Sequence, residues 1–317
     1  AVLDTGYRSS VNMNKYKQRM RVRAQYDAIR NLSLTPPVTD DESGHGTHVS
    51  SLIIAPMKDT SRNYLGIAPG VDFVSVKAFD GNGAGTYASV IRGIGWIVAH
   101  KATYNIRVLN CSFSAPARSH YWDDPLDQAV MAAWRAGIVV VASAGNAGPN
   151  PMTIGVPANV PYIVTVGAMT DSYSTSLTID DKVASFSSAG PTVEGFVKPD
   201  LVAPGGHDPG RMDPAARIAI QHPEFRVTYD GVAAWFTMSG TSQSAAVVSG
   251  VAALMLQADP TLTPDDVKCG LMATARAAWW GGTAPYSVYQ QGAGLVDAHA
   301  AVSERPLGCA NSGLDIA

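Results

Sequence analysis

Charge is scarce in this 317-residue chain: Asp, Glu, Lys and Arg make up 15% of it, against ~25% in an average soluble domain. The two signs nearly cancel, with 23 Lys plus Arg against 26 Asp plus Glu, which removes the basic surplus expected of a nucleic-acid binder. Cysteine is scarce too. Cys111, Cys269 and Cys309 allow at most one internal disulfide, and their spacing fits no zinc pattern. No apolar run reaches the ~18 residues of a membrane span; the longest, 245–256, is broken by Ser249 and Gly250. The opening Ala1-Val2-Leu3-Asp4 lacks the basic and apolar regions of a signal peptide. Period is missing as well. The 30 Gly and 20 Pro follow no repeat, which argues against collagen-like and solenoid architectures. Apolar side chains, by contrast, make up 46% of the chain, too much for a disordered one.

Short β-branched runs alternate with helical patterns. Strands are predicted over 1–4, 19–29, 72–79, 106–112, 137–143, 162–168 and 201–203, and helices over 45–54, 87–100, 125–136, 239–258, 263–275 and 296–303. Ile138-Val139-Val140-Val141-Ala142 is apolar at every position, the pattern of a parallel strand covered on both faces. The expected fold is α/β: an open, doubly wound, mostly parallel sheet with helices on both faces and its site at the strands' carboxyl ends. No linker divides the chain, so a single domain is expected over 1–317, with a core of about 1–302 and a tail over 303–317. The loop 32–44 and the stretch 205–230 lack periodicity, and the latter reads as a surface excursion. Cys111 sits in an apolar run as inert packing, leaving Cys269 and Cys309 as the candidate bridge.

Three segments put a reactive side chain where an element ends. Asp4 closes the first strand before the turn Thr5-Gly6. His45 opens a helix in Gly44-His45-Gly46-Thr47-His48-Val49, and Ser242 opens another in Ser239-Gly240-Thr241-Ser242. A serine hydroxyl becomes a nucleophile when an imidazole takes its proton, and a carboxylate holds that imidazole in the right tautomer. A helix start also aims free N–H groups at a developing oxyanion. Asn146, at the end of Val141-Ala142-Ser143-Ala144-Gly145-Asn146, offers an amide as second donor.

These four blocks, in the order Asp, His, Asn, Ser, resemble the subtilisin family of serine peptidases, and the similarity runs from residue 1 to about Val302. The resemblance implies a subtilisin-like three-layer sandwich and a serine endopeptidase that works through an acyl-enzyme, with Asp4, His45 and Ser242 as triad and Asn146 in the oxyanion hole. It also implies that Gly83-Ala84-Gly85 and Ser112-Phe113-Ser114 pair with extended peptide or protein substrates as edge strands. Ala142, Ser143, Ala144 and Gly155 would then wall the pocket for the residue before the cleaved bond. That pocket carries no charge, which predicts large apolar residues there. Secretion, and a propeptide or cleaved N-terminal segment, follow from family habit.

The sequence also departs from the family. Gln243-Ser244-Ala245-Ala246-Val247 lacks the Met and Pro that usually follow the serine, and Ser114 replaces a common Gly, which would narrow the substrate channel. No cofactor is needed for the chemistry. Structural calcium is compatible with the family, but its ligands are unassigned; Asp59 and Asn63 offer oxygens, and hard cations need six or more. Other readings are weaker. Asp4-Thr5-Gly6 would suit an aspartic peptidase, but no second such triplet occurs. His45 and His48 lack a third metal ligand, and His48 reads as a hydrogen-bonded structural residue. Ser239 and Ser244 read as helix-terminal or packing hydroxyls. Lys15, Lys17, Arg19, Arg21 and Arg23 alternate as on one strand face, which is most simply a solvated face and more sharply an exosite for an acidic partner. A catalytically silent binding protein and an esterase remain as rival functions.

Overall fold

In the computed structural model, which describes residues 1–170, 181–229, 232–280, 284–304 and 306–314, everything is organised around a short central strand, β1 (Val2–Asp4). Its three residues are all buried, and alternate side chains leave it on opposite sides. Val2 packs with Val49, Leu52, Ile53 and Ala246, whereas the Leu3 side chain lies under Gly93 on the other face. One strand therefore needs helices above and below it.

The main sheet continues with β2 (Val22–Asp27), β3 (Leu32–Leu34), β4 (Phe73–Lys77), β5 (Val108–Cys111), β6 (Val139–Ser143), β7 (Val164–Thr170), β8 (Lys182–Val183) and β9 (Leu201–Pro204). Across the sheet the order is β8-β7-β6-β5-β1-β4-β2-β3, with β9 also pairing β7. Only the β2–β3 and β7–β8 pairs are antiparallel. The chain leaves β1 for β2 and β4 on one side, then crosses to β5 on the other. Such a reversal opens a crevice at the strands' carboxyl ends, and Asp4 ends β1 at that point. Helices α1 (His45–Ile54) and α5 (Thr241–Ala258) pack together over one face, and α2 (Tyr87–Ala99) and α3 (Pro125–Arg135) pack together elsewhere on the sheet. Helix α5 runs across β5, β6, β7 and β9, so its first turn is held by the core. The expected doubly wound α/β fold is observed.

Three local expectations are corrected. The run 19–29 is not one strand: Lys17 and Gln18 take positive φ (46° and 69°), folding Lys15–Tyr16 back on Arg19–Met20 as a separate hairpin. The five alternating basic residues therefore do not form one face, although Arg19 and Arg23 both reach Asp72. Arg21 is fully buried, its Nε donating to Met13 O at 2.8 Å, and burial lowers its pKa to about 10, while Arg19 pairs with Asp72 at 2.6 Å. The stretch over 205–229 does carry regular elements where none was predicted: β10 (Asp208–Arg211) and β11 (Arg226–Tyr229) flank β12 (Val232–Met238), with α4 (Arg217–Gln221) between. Its strands are short and its core, Met212, Ala216, Ala219 and Phe236, is assembled from scattered positions, so no period shows in the sequence. The chain continues with α6 (Pro264–Ala273) and α7 (Ala298–Ser303). Cys269 in α6 is bonded to Cys309, with Cα atoms 5.1 Å apart, and Cys111 is a buried free thiol.

Candidate active site

Asp4 enters the crevice as the last residue of β1, and His45 as the first of α1. Bringing them together requires two backbones to touch. A Cβ at Gly46 would lie 2.3 Å from Gly6 O, and one at Gly6 (φ +118°) 2.5 Å from Asp40 O, so only glycine fits either place. His45 Nδ1 then lies 2.7 Å from Asp4 Oδ1, which also accepts from Thr5 N–H at 2.7 Å. A carboxylate only accepts, so Nδ1 carries the proton and Nε2 keeps its lone pair. Asp4 is buried, whereas the His45 side chain is 22% exposed and reaches the cleft. Burial works to lower the His45 pKa, but the Asp4 charge and hydrogen bond, with the charge of Asp41, outweigh it and hold the imidazole above its ordinary value.

The start of α1 is anchored by a residue the sequence reading passed over. Gly44 has no side chain to cap the helix, and Asp41 does so from the preceding loop. Its Oδ1 accepts from Gly44 N–H and Thr5 Oγ (both 2.8 Å), and its Oδ2 from Thr47 N–H (2.8 Å) and Thr47 Oγ (2.6 Å). Thr5 Oγ in turn accepts from Gly46 N–H at 2.9 Å. No spacing rule joins Asp41 to the start of a helix at His45, because the first-turn acceptors come from a loop and another strand's end.

His48, three residues on, is the structural histidine expected. It is fully buried; Nε2–H donates to Phe236 O (3.0 Å) and Asp208 O (3.2 Å), and Nδ1 accepts from Gln243 Nε2 (3.4 Å). Burial, helped by the His45 charge, lowers its pKa to about 4, so it is neutral. Among the described residues no group of three or more His, Cys, Asp or Glu is placed to hold a metal. Asp59 spends its oxygens on Asn63, from the backbone N–H at 2.8 Å and the amide at 3.3 Å.

Ser242 stands in the first turn of α5. Its hydroxyl donates to Ser112 O at 3.1 Å, and its carbonyl accepts from Ser112 Oγ at 2.9 Å. Beneath it, Asn110 Nδ2 donates to Ser112 Oγ and Ser249 Oγ to Asn110 Oδ1, both at 2.8 Å. Among the described residues the Ser242 N–H makes no hydrogen bond. Asn146 is oriented by Thr241: its Oδ1 accepts from Thr241 N–H (3.0 Å) and Oγ–H (2.9 Å), while Thr241 Oγ accepts from Gly145 N–H (3.2 Å). That network leaves Nδ2 as the outward donor. Thr241 was visible in the Ser239–Ser242 block, but its task was not. Ser239 Oγ accepts from His207 N–H (2.9 Å) and Ser244 Oγ donates to Ala203 O (3.0 Å), which are terminal and packing roles.

Asp4, His45, Asn146 and Ser242 line one cleft of ≈ 440 Å³, together with Gly83, Ser112, Phe113, Ser114 and Ser143. An adjoining hollow of ≈ 380 Å³ shares Ser114, Gly145 and Asn146 and adds Ala117, Ile154 and Gly155, with no charged residue. The Ser114 hydroxyl lies between Gly145 and Gly155, 3.1 and 2.1 Å from where their Cβ atoms would be, so it leaves no space for a side chain at either glycine. Gly85 bridges Phe79 rather than lining the cleft, and Ala84 donates its N–H to Asp80. The side chains of Ala142 and Ala144 belong to the apolar core, as do Val139, Val140 and Val141 before them, because β6 is covered on both faces.

The sequence model of the subtilase family matches residues 1–294. Serine protease AprX of Bacillus subtilis (strain 168) is 40% identical over 233 residues, 72% of this chain and 52% of its own length. Subtilisin DY of Bacillus licheniformis is 34% identical over 238 residues, 74% of this chain and 71% of its own. The chain thus spans about half of AprX. Among solved structures, a cold adapted subtilisin-like serine proteinase superposes with a TM-score of 0.64 at 30% identity, covering 93% of this chain and 86% of that one. Fervidolysin from Fervidobacterium pennivorans, described as a keratinolytic enzyme related to subtilisin, gives 0.72 at 26%, over 97% of this chain and 42% of its own.

Proposed function

The chain belongs to the subtilase family, and we propose that it acts as a single-domain serine endopeptidase. The observation that carries this reading is one cleft lined by both an Asp4-bound His45 and a Ser242 whose own N–H makes no hydrogen bond among the described residues. When a peptide is seated, the Ser242 proton passes to His45 Nε2 and Oγ attacks the scissile carbonyl carbon. The oxyanion is received by Ser242 N–H and Asn146 Nδ2. His45 then gives its proton to the departing amine, which leaves an acyl-enzyme, and water repeats the sequence to release the acid. Asp4 stabilises the imidazolium formed in each half. Base, nucleophile and oxyanion donors all come from the chain, so the reaction as drawn needs no cofactor.

Extended peptide would lie along Gly83–Gly85 and Ser112–Ser114, with a large apolar side chain in the uncharged hollow beside Gly145 and Gly155. Secretion after removal of an N-terminal segment goes with the same reading. The resting bond of Ser242 to Ser112 O favours one alternative, a silent binding protein whose serine never meets His45. Stoichiometric labelling of Ser242 by a fluorophosphonate, lost in His45→Ala, supports the peptidase; an unlabelled wild type would support the alternative. A cleavage profile led by Lys or Arg before the bond would overturn the apolar preference.

A further inference from the structure

The cleft has a wall that the triad does not use. It is built by the excursion over 205–230: Arg217 N–H donates to Glu42 O at 2.9 Å and Ile218 N–H to Ser43 O at 3.2 Å, clipping α4 to the residues that lead into His45. Ile218 packs on the small core around Phe236, so α4 is seated from behind as well. From this seat the exposed Arg217 side chain lines the cleft with His45 and Gly81–Gly83. Its Nη1 donates to Asn82 Oδ1 at 2.5 Å, a neutral partner. Gly81 lies beside it, with a Cβ there falling 3.8 Å from Nη2, at van der Waals contact.

Among the described residues no carboxylate is ion-paired with Arg217, although its charge helps the backbone hydrogen bonds to lower the Asp80 pKa. Glu42 pairs with Lys77, and Asp80 Oδ1 accepts the N–H groups of Asn82 and Ala84. Of the charged residues lining the cleft, Asp4 is buried against His45. Arg217 is therefore the exposed fixed charge that a substrate meets. An extended peptide turns successive side chains to opposite sides. With one side chain in the hollow between Gly145 and Gly155, the preceding one would turn away from it, toward the adjoining cleft that His45 and Arg217 line.

We infer that Arg217 is a specificity-determining residue, receiving the carboxylate of an acidic side chain two positions before the cleaved bond. This rests on the peptidase reading and deepens it. The planar guanidinium offers paired N–H donors to a carboxylate, and an element clipped at its start and packed from behind presents them without a large ordering cost.

The test is a set of internally quenched peptides with Phe before the bond and Glu, Gln or Lys before that Phe. Wild type is expected to cleave the Glu peptide about tenfold more efficiently than the Gln peptide, with Lys last and the spread compressed by salt. The Glu-to-Gln ratio of kcat/KM falls to about one in Arg217→Gln, and Arg217→Glu turns the order toward Lys. A wild-type ratio near one, or a ratio that survives Arg217→Gln, overturns the role of Arg217 while the cleaved Gln peptide leaves the peptidase reading standing. Absence of cleavage together with absence of fluorophosphonate labelling overturns both.

Discussion

Helices α1 and α5 both begin after a glycine that offers no side-chain cap, Gly44 and Gly240, yet their first turns are anchored differently. In α1 side chains from outside the helix hold the second and third N–H groups, Gly46 by Thr5 Oγ and Thr47 by Asp41, and among the described residues the His45 N–H makes no hydrogen bond. In α5 the first N–H, of Thr241, goes to Asn146, and the second, of Ser242, makes none among the described residues. Anchoring the second and third N–H groups fixes the start of α1, and with it the base, in space. Leaving the Ser242 N–H free keeps a donor beside the nucleophile for charge that exists only during the reaction. The two histidines of α1 divide in the same way, His45 held protonatable beside a carboxylate and His48 kept neutral by burial.

The contrast predicts that damage at α5 is catalytic and damage at α1 is structural. Asn146→Ala is expected to lower kcat by about 10²–10³-fold, ~3–4 kcal/mol, with a smaller loss of stability than Asp41→Ala because it strands only the Thr241 N–H and Oγ–H; a larger loss would break the contrast. Asp41→Ala strands four buried donors and should cost about 3 kcal/mol of stability, read by denaturant unfolding, with a smaller effect on kcat. The sign at His48 follows from its lowered pKa, because the unfolded chain takes up the proton first as pH falls. Stability is therefore lost between about pH 6.5 and 4, by up to ~3 kcal/mol, and His48→Gln should flatten that slope. Thr241→Val frees the Asn146 amide and should cost about tenfold in kcat with KM unchanged. The smallest effect is a position on the pH axis. His45 must be neutral to act and its pKa is raised, so the acidic limb of kcat/KM should lie above 6.5; a limb below that value would show that burial, not Asp4, governs the ring.

Much of this site was legible as sequence because catalysis demands particular chemical groups at element ends, and those groups came in short blocks. Asp4, His45, Asn146 and Ser242 each sit within a few residues of the glycines that let the backbones close in. The supporting residues were not legible for the converse reason. Asp41 acts across a loop, Thr241 acts on a residue 95 positions away, and Arg217 reaches the cleft only once α4 is clipped to Glu42 and Ser43. The basic run over 15–23 misled, since alternation implies one face only while the strand continues, and a turn at Lys17–Gln18 ends it.

Sequence alone determined the class of the fold, through strands apolar on both faces, and the identity of the reacting groups, through local blocks. Tertiary structure decided which N–H groups of each helix start find acceptors, how closely the Ser114 hydroxyl sits against Gly145 and Gly155, and where the exposed Arg217 stands in the cleft. The reason is physical: propensity and hydrophobic period act over a few residues, whereas an N–H group is satisfied or left free by whichever distant acceptor the packed chain brings to it.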